Sequence, residues 1–149
     1  MKLFLDTNVL IDLFGHRDGF YDDALKLVGS HILGDTTLWA SAKSFTDIFY
    51  VLMRCDADPS TLQKAFITSL DFLNVCALDQ DDIADAAARD WPDFEDCLIA
   101  IGAAKVEADF IITRDEAGFA RSPIPAMSPD GFFRHLQETR NITYDFESF

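Results

Sequence analysis

Four aspartates stand where apolar runs end or helices begin. They are Asp6 in Leu3-Phe4-Leu5-Asp6-Thr7-Asn8, Asp47 in Phe45-Thr46-Asp47-Ile48, Asp96 in Asp93-Phe94-Glu95-Asp96, and Asp115 in Ile111-Ile112-Thr113-Arg114-Asp115. Converged, they would make a pocket of carboxylate oxygens, the ligands preferred by hard divalent cations. A cation held in that way supports metal-dependent phosphodiester chemistry. Carboxylates at close range repel by about 4 kcal/mol per pair at an effective dielectric near 20, so such a cluster requires protonation or a neutralising cation.

Each aspartate also has a plainer use. Asp6 can cap a helix through the backbone of Asn8 or Val9. Asp93 and Asp96 have the spacing of a capping box, and Asp115 suits a surface turn. Asp47 is harder to explain away, because aspartate is intrinsically unfavourable inside a helix and must face solvent or a polar pocket. Thr7 and Thr113 serve equally well as packing at strand ends or as partners that orient the acids.

The elements that must position these groups alternate along the chain. Strands are expected at Lys2–Leu5, Thr36–Ala40, Asn74–Leu78, Phe110–Thr113 and around Pro125–Met127. Helices are expected over Asn8–Phe14 and Tyr21–Leu33. A third carries Phe45, Ile48, Phe49 and Leu52 at i, i+3, i+4 and i+7, the spacing of one buried face. Asp58-Pro59 and Ser128-Pro129 each place a cap before a proline at the first helical position. Asp79 caps a helix bearing Ile83, Ala86 and Ala87, and Pro92-Asp93 opens one through Leu98, Ile99 and Val106. Alternating strands and helices imply right-handed crossovers and a parallel sheet covered on both faces. Ligands bind such sheets at the carboxyl ends of the strands, where Asp6 and Asp115 fall.

The chain has 149 residues, 49% of them hydrophobic, enough for one domain with a full core. Acidic residues number 26 against 12 basic, a net charge of −14. That field opposes non-specific nucleic-acid binding, which depends on Lys and Arg displacing counterions. A nucleic-acid substrate would need a local basic patch, a metal or a partner protein. Cys55, Cys76 and Cys97 form neither a disulfide framework nor a zinc motif, and read as reduced, mostly buried thiols. No apolar run suffices for a signal-peptide core or a membrane span, so the expected location is cytoplasmic, without a membrane partner. Residues 141–149 alternate Ile142, Tyr144 and Phe146 with polar residues. Edge strand, docking on the core and self-association all stay open for them.

Taken together, Leu5-Asp6-Thr7-Asn8-Val9-Leu10-Ile11-Asp12, Ser41-Ala42-Lys43-Ser44-Phe45-Thr46-Asp47-Ile48, Asp93-Phe94-Glu95-Asp96-Cys97-Leu98 and Ala108-Asp109-Phe110-Ile111-Ile112-Thr113-Arg114-Asp115 resemble a PIN domain over nearly the whole chain. The resemblance implies a three-layer α/β/α sandwich with a central parallel sheet, spanning residues 1–149 as a single PIN domain, with 141–149 as a C-terminal tail. It also implies Mg²⁺- or Mn²⁺-dependent endoribonuclease activity, leaving a 5′-phosphate and a 3′-hydroxyl. Small single-domain members include the toxins of VapBC-type toxin–antitoxin pairs, so an antitoxin partner and a homodimer are implied as well. By position, Asp6, Asp96 and Asp115 match the family's acidic metal-binding residues. Asn8 matches its polar helper, supported by Thr113. Asp47 stands where most members carry Glu, one methylene longer.

Two rival readings remain. One is a non-catalytic PIN-like module that binds a partner. The other is a phosphohydrolase with Asp6 as nucleophile, which normally needs a second acid where this chain has Asn8. Among the basic residues near the motifs, Lys43, Arg54 and Arg114 are candidates for phosphate contacts, with ordinary ion pairing the simpler role. Glu95 is expected to point elsewhere on its helix, and Asp12 to be solvated or locally bonded. His16, His31 and His135 read as surface residues. Trp39 and Trp91 read as core or lid residues.

Overall fold

A computed structural model describes residues 1–144. Five strands, β1 (Lys2–Leu5), β2 (Thr37–Ser41), β3 (Leu73–Cys76), β4 (Phe110–Ile112) and β5 (Ala126–Met127), form one sheet in the order β3-β2-β1-β4-β5. Every pairing is parallel. Among the described residues, seven α-helices connect or flank them: α1 (Thr7–Phe14), α2 (Tyr21–Ile32), α3 (Ala42–Met53), α4 (Pro59–Ser69), α5 (Gln80–Arg89), α6 (Phe94–Lys105) and α7 (Pro129–Arg140). A short 3-10 turn, Glu116–Phe119, follows β4. The expected three-layer α/β/α architecture is the one observed.

Period-two alternation decides which layer each strand residue joins. Leu3 and Leu5 of β1 enter a cluster with Val9, Leu27, Ile48 and Leu136, from the helices on one face. Phe4, between them, enters a second cluster with Ile99, Ala100 and Ala103 of α6 on the other face. At Gly102 a Cβ would come within 2.8 Å of the Phe4 ring, so α6 lies close on the sheet. On α3, Ile48 and Leu52 are buried, and Phe45 and Phe49 pack partly buried against the first cluster. The expected apolar face of α5 is narrower: Ala86 is buried, whereas Ile83 and Ala87 are exposed. This helix packs on α6 in the outer layer, where one small residue suffices for the contact.

The local signals act as expected. The Asp58 side chain accepts from Thr61 N and Ser128 from Gly131 N, each with proline starting the helix. Asp79 and Asp82 make a reciprocal capping box. After α7, Ile142 and Tyr144 pack against the first cluster, and the Tyr144 hydroxyl donates to Asp35 Oδ2 at 2.6 Å. Phe146, the last member of the expected alternation, lies outside the described residues. Among the described residues, no helix is long and apolar enough to cross a membrane. Cys76 and Cys97 are buried, while Cys55 is exposed.

Candidate functional site

The strand order places a topological switch between β1 and β4. The chain moves outward from β1 through β2 to β3, then returns to the other side of β1. Ligand crevices in open α/β sheets form at the carboxyl end of such a switch. Asp6 follows β1 directly, and its backbone N–H continues the ladder to Ile112 O at 2.9 Å. Its carboxylate is buried: Oδ1 accepts from the backbone N of Thr7 at 2.7 Å and Oδ2 from the Thr113 hydroxyl at 2.7 Å. The cap partner is thus Thr7, one residue nearer than the expected Asn8 or Val9.

Thr113 is the hub of this corner. Its Oγ1 also accepts from Asn8 Nδ2 at 3.3 Å and from Asp115 N at 2.9 Å, while Asn8 Oδ1 accepts from Arg114 N at 3.2 Å. One hydroxyl therefore ties together the ends of β1 and β4. A Thr113→Val variant keeps the shape but leaves buried polar groups without a partner. It is expected to lower unfolding free energy by about 1–3 kcal/mol, measured by urea denaturation; an unchanged midpoint would mean that water replaces the hydroxyl.

Asp96 reaches the same corner from the opposite layer. The Asp93 carboxylate caps α6 by accepting from Glu95 N and Asp96 N, which frees the Asp96 side chain for the cleft. A Cβ at Gly118 would lie 2.5 Å from Asp96 Oδ2 and 3.0 Å from Asp115 Oδ2, so both carboxylates crowd this glycine. Asp115 also holds the 3-10 turn through Gly118 N. Desolvation by burial, countered by the Thr113 and Thr7 hydrogen bonds, pushes the Asp6 pKa from 3.8 up to about 6, with Glu95 and Asp115 adding repulsion. Asp96 rises to about 7 through burial and then the charges of Asp93, Asp6, Asp115 and Glu95.

The cleft has a volume of about 380 Å³ and is lined by the polar residues Asp6, Asn8, Asp47, Glu95 and Asp96 together with Ile11, Tyr50 and Val51. One expectation is corrected here and one is narrowed. Glu95 does not point elsewhere on α6: it lines the cleft, and its Oε2 stands 3.4 Å from Lys43 Nζ. Its first-turn position on α6 hid this, because the rotation of that helix is set by packing on Phe4. Of the two alternatives for Asp12 only the solvated one fails: it is 2% exposed, 3.7 Å from the nearby Arg17, and also 2.7 Å from the distant Arg114 Nε. Asp47 lies on the cleft wall, but its carboxylate is taken by Lys43, one helical turn back. Arg114 pairs with Asp12 and stacks over Phe20, and Arg54 stacks over Tyr50, so neither is a free cation. His31 bonds Thr36 O, His16 stacks on Tyr21, and His135 packs on Phe110. Trp39 and Trp91 pack partly buried on the second cluster.

The donor chemistry fits a hard divalent cation. The oxygen donors are all carboxylates, two of them with pKa values raised by burial, and Gly118 leaves room where a side chain would crowd Asp96 and Asp115. The set is open: among the described residues, no three acidic, His or Cys side chains are gathered closely enough to hold a metal ion as they stand.

A parallel sheet with an acidic crevice at its β1/β4 switch defines a class of α/β domain. The model of one such family, the PIN domain, matches residues 2–117. The chain belongs to the PIN domain family. No curated protein sequence matches it. Solved structures with a similar fold include VapBC2 from Rickettsia felis bound to a promoter DNA fragment. That match is 17% identical, covers 86% of this chain and 98% of that one, and has a TM-score of 0.61. A toxin–antitoxin complex from Klebsiella pneumoniae matches at 21% identity, 85% and 97% coverage and a TM-score of 0.60. VapBC-1 from nontypeable Haemophilus influenzae matches at 17% identity, 87% and 99% coverage and a TM-score of 0.64. At these identities the likeness is one of fold.

Proposed function

We propose that this chain is a metal-dependent endoribonuclease, the toxin of a toxin–antitoxin pair acting in the cytoplasm. Asp6, Asp96 and Asp115 would hold Mg²⁺ or Mn²⁺. The observation that carries the reading is the pairing of a buried Asp6, oriented from both sides, with an Asp96 in the same cleft whose pKa is raised first by burial and then by the surrounding carboxylates. A divalent cation bound there supplies a water of lowered pKa and offsets charge on the phosphate. The chain's own groups prepare the place. Thr7 N and Thr113 Oγ1 fix the direction of Asp6, Asn8 locks the loop that carries Asp115, and Asp93 seats the first turn of α6. An antitoxin with a basic segment would complement the net charge of −14. The Klebsiella pneumoniae structure of similar fold is a toxin–antitoxin complex, which supports looking for such a partner.

The test is cleavage of labelled single-stranded RNA with Mg²⁺ or Mn²⁺. Metal-dependent products that disappear with EDTA support the reading. RNA left intact across metals, together with no metal binding, would favour the non-catalytic partner-binding module. The open arrangement of the acids is the observation that keeps this second reading in view.

A further inference from the structure

Lys43 lies in the first turn of α3. Its ammonium contacts Asp47 on its own helix and Glu95 on α6, which approaches from the other face of the sheet. The ammonium therefore sits between two carboxylates that arrive from opposite layers. Both acids it contacts line the cleft, and both are only about a third exposed, at 33% and 40%. Any divalent ion using oxygens of Asp47 or Glu95 would have to displace it or sit beside it, at a Coulombic cost that grows as the dielectric falls.

Resting on the metal-nuclease reading above, we propose that Lys43 is the site's built-in second cation. It withdraws Asp47 from the metal ligands and leaves Asp6, Asp96 and Asp115 to hold a single divalent ion. Asp93 is spent on the α6 cap and Asp47 and Glu95 share one ammonium, which leaves the other three acids for a divalent ion. The shorter side chain of Asp47 fits the same account. Its task is to anchor a lysine one turn away, a contact that i,i+4 spacing provides, and it need not reach across the cleft.

The test is Mn²⁺ stoichiometry and affinity, by calorimetry and by EPR of free Mn²⁺, on wild type, Lys43→Met, Lys43→Arg, Asp47→Asn and Asp96→Asn. Wild type is expected to bind one ion per chain. Lys43→Met should bind two, because Asp47 and Glu95 lose their counter-charge, while Lys43→Arg should restore one. Asp47→Asn should bind one ion within about threefold of wild-type affinity, while Asp96→Asn loses it. Two ions in wild type, one in Lys43→Met, or equal losses in Asp47→Asn and Asp96→Asn would overturn the inference while leaving the nuclease reading standing. No Mn²⁺ bound by wild type would overturn both. Lys43 is 37% exposed, so the substituted chains should fold, which circular dichroism checks.

Discussion

The Asp96→Asn variant is expected to bind Mn²⁺ at least about a hundredfold more weakly than wild type, and its RNA cleavage should fall to background. Removal of groups that merely support a metal ligand costs 10–100-fold in affinity or activity, and loss of a charged donor should reach the upper end or beyond. Asp6→Asn is expected to show the same functional loss with an opposite effect on the fold. The buried Asp6 carboxylate is raised from 3.8 to about 6, chiefly by desolvation. At about 1.4 kcal/mol per pKa unit, ionised Asp6 costs the metal-free fold up to about 3 kcal/mol at pH 7.5. Asparagine carries no such cost and can still accept from Thr7 N. With EDTA present, Asp6→Asn should therefore unfold at higher urea concentration than wild type, by about 1–2 kcal/mol. Cleavage at the wild-type rate by either variant would remove that residue from the site. A less stable metal-free Asp6→Asn would mean that its hydrogen bonds outweigh its desolvation.

The stabilisation conferred by Mn²⁺ is expected to depend steeply on pH. Asp6 and Asp96 bind their protons more tightly in the folded chain than in the unfolded one. Their contribution to metal-free stability is full below the unfolded aspartate value of about 4, and is lost as pH rises through about 6 to 7. Asp58, Asp79 and Asp85 act in the opposite sense. Thr61 hydrogen bonds, the Asp82 backbone N–H and the Arg89 side chain, respectively, hold them below the usual range, so their contribution fades only as pH falls below about 4. Metal-free stability should thus peak on the acid side of neutrality. A divalent cation selects the ionised carboxylates and competes with their protons. At a hundredfold excess over Kd it adds about 2.7 kcal/mol, roughly 5–10 °C in Tm for a domain of this size. That shift should appear at pH 8 and shrink to about a degree or less at pH 5. Equal shifts at both pH values would place the metal away from Asp6 and Asp96.

Much of the fold was legible locally. Asp58-Pro59 and Ser128-Pro129 each start a helix, because cap and proline satisfy the first turn with local groups. The alternation of Leu3, Phe4 and Leu5 sends side chains to both faces of a strand, and so announced a covered sheet. The positions of Asp6, Asp96 and Asp115 at element ends were legible for the same reason: a strand end or helix start is a short-range property.

What only the tertiary structure decided are the contacts that cross layers. Thr113 becomes the hub of the cleft because parallel pairing sets Leu5 beside Ile112, 107 residues apart in sequence. Asp12 is buried against Arg114 for the same reason, since one follows β1 on α1 and the other follows β4. The Lys43–Asp47 pair could be read from i,i+4 spacing, but its reach to Glu95 could not. That contact depends on how α6 is rotated by Gly102 resting on Phe4. Local signals name the ends of elements; which ends meet, and with what charge, is settled by sheet order and by the packing that turns each helix.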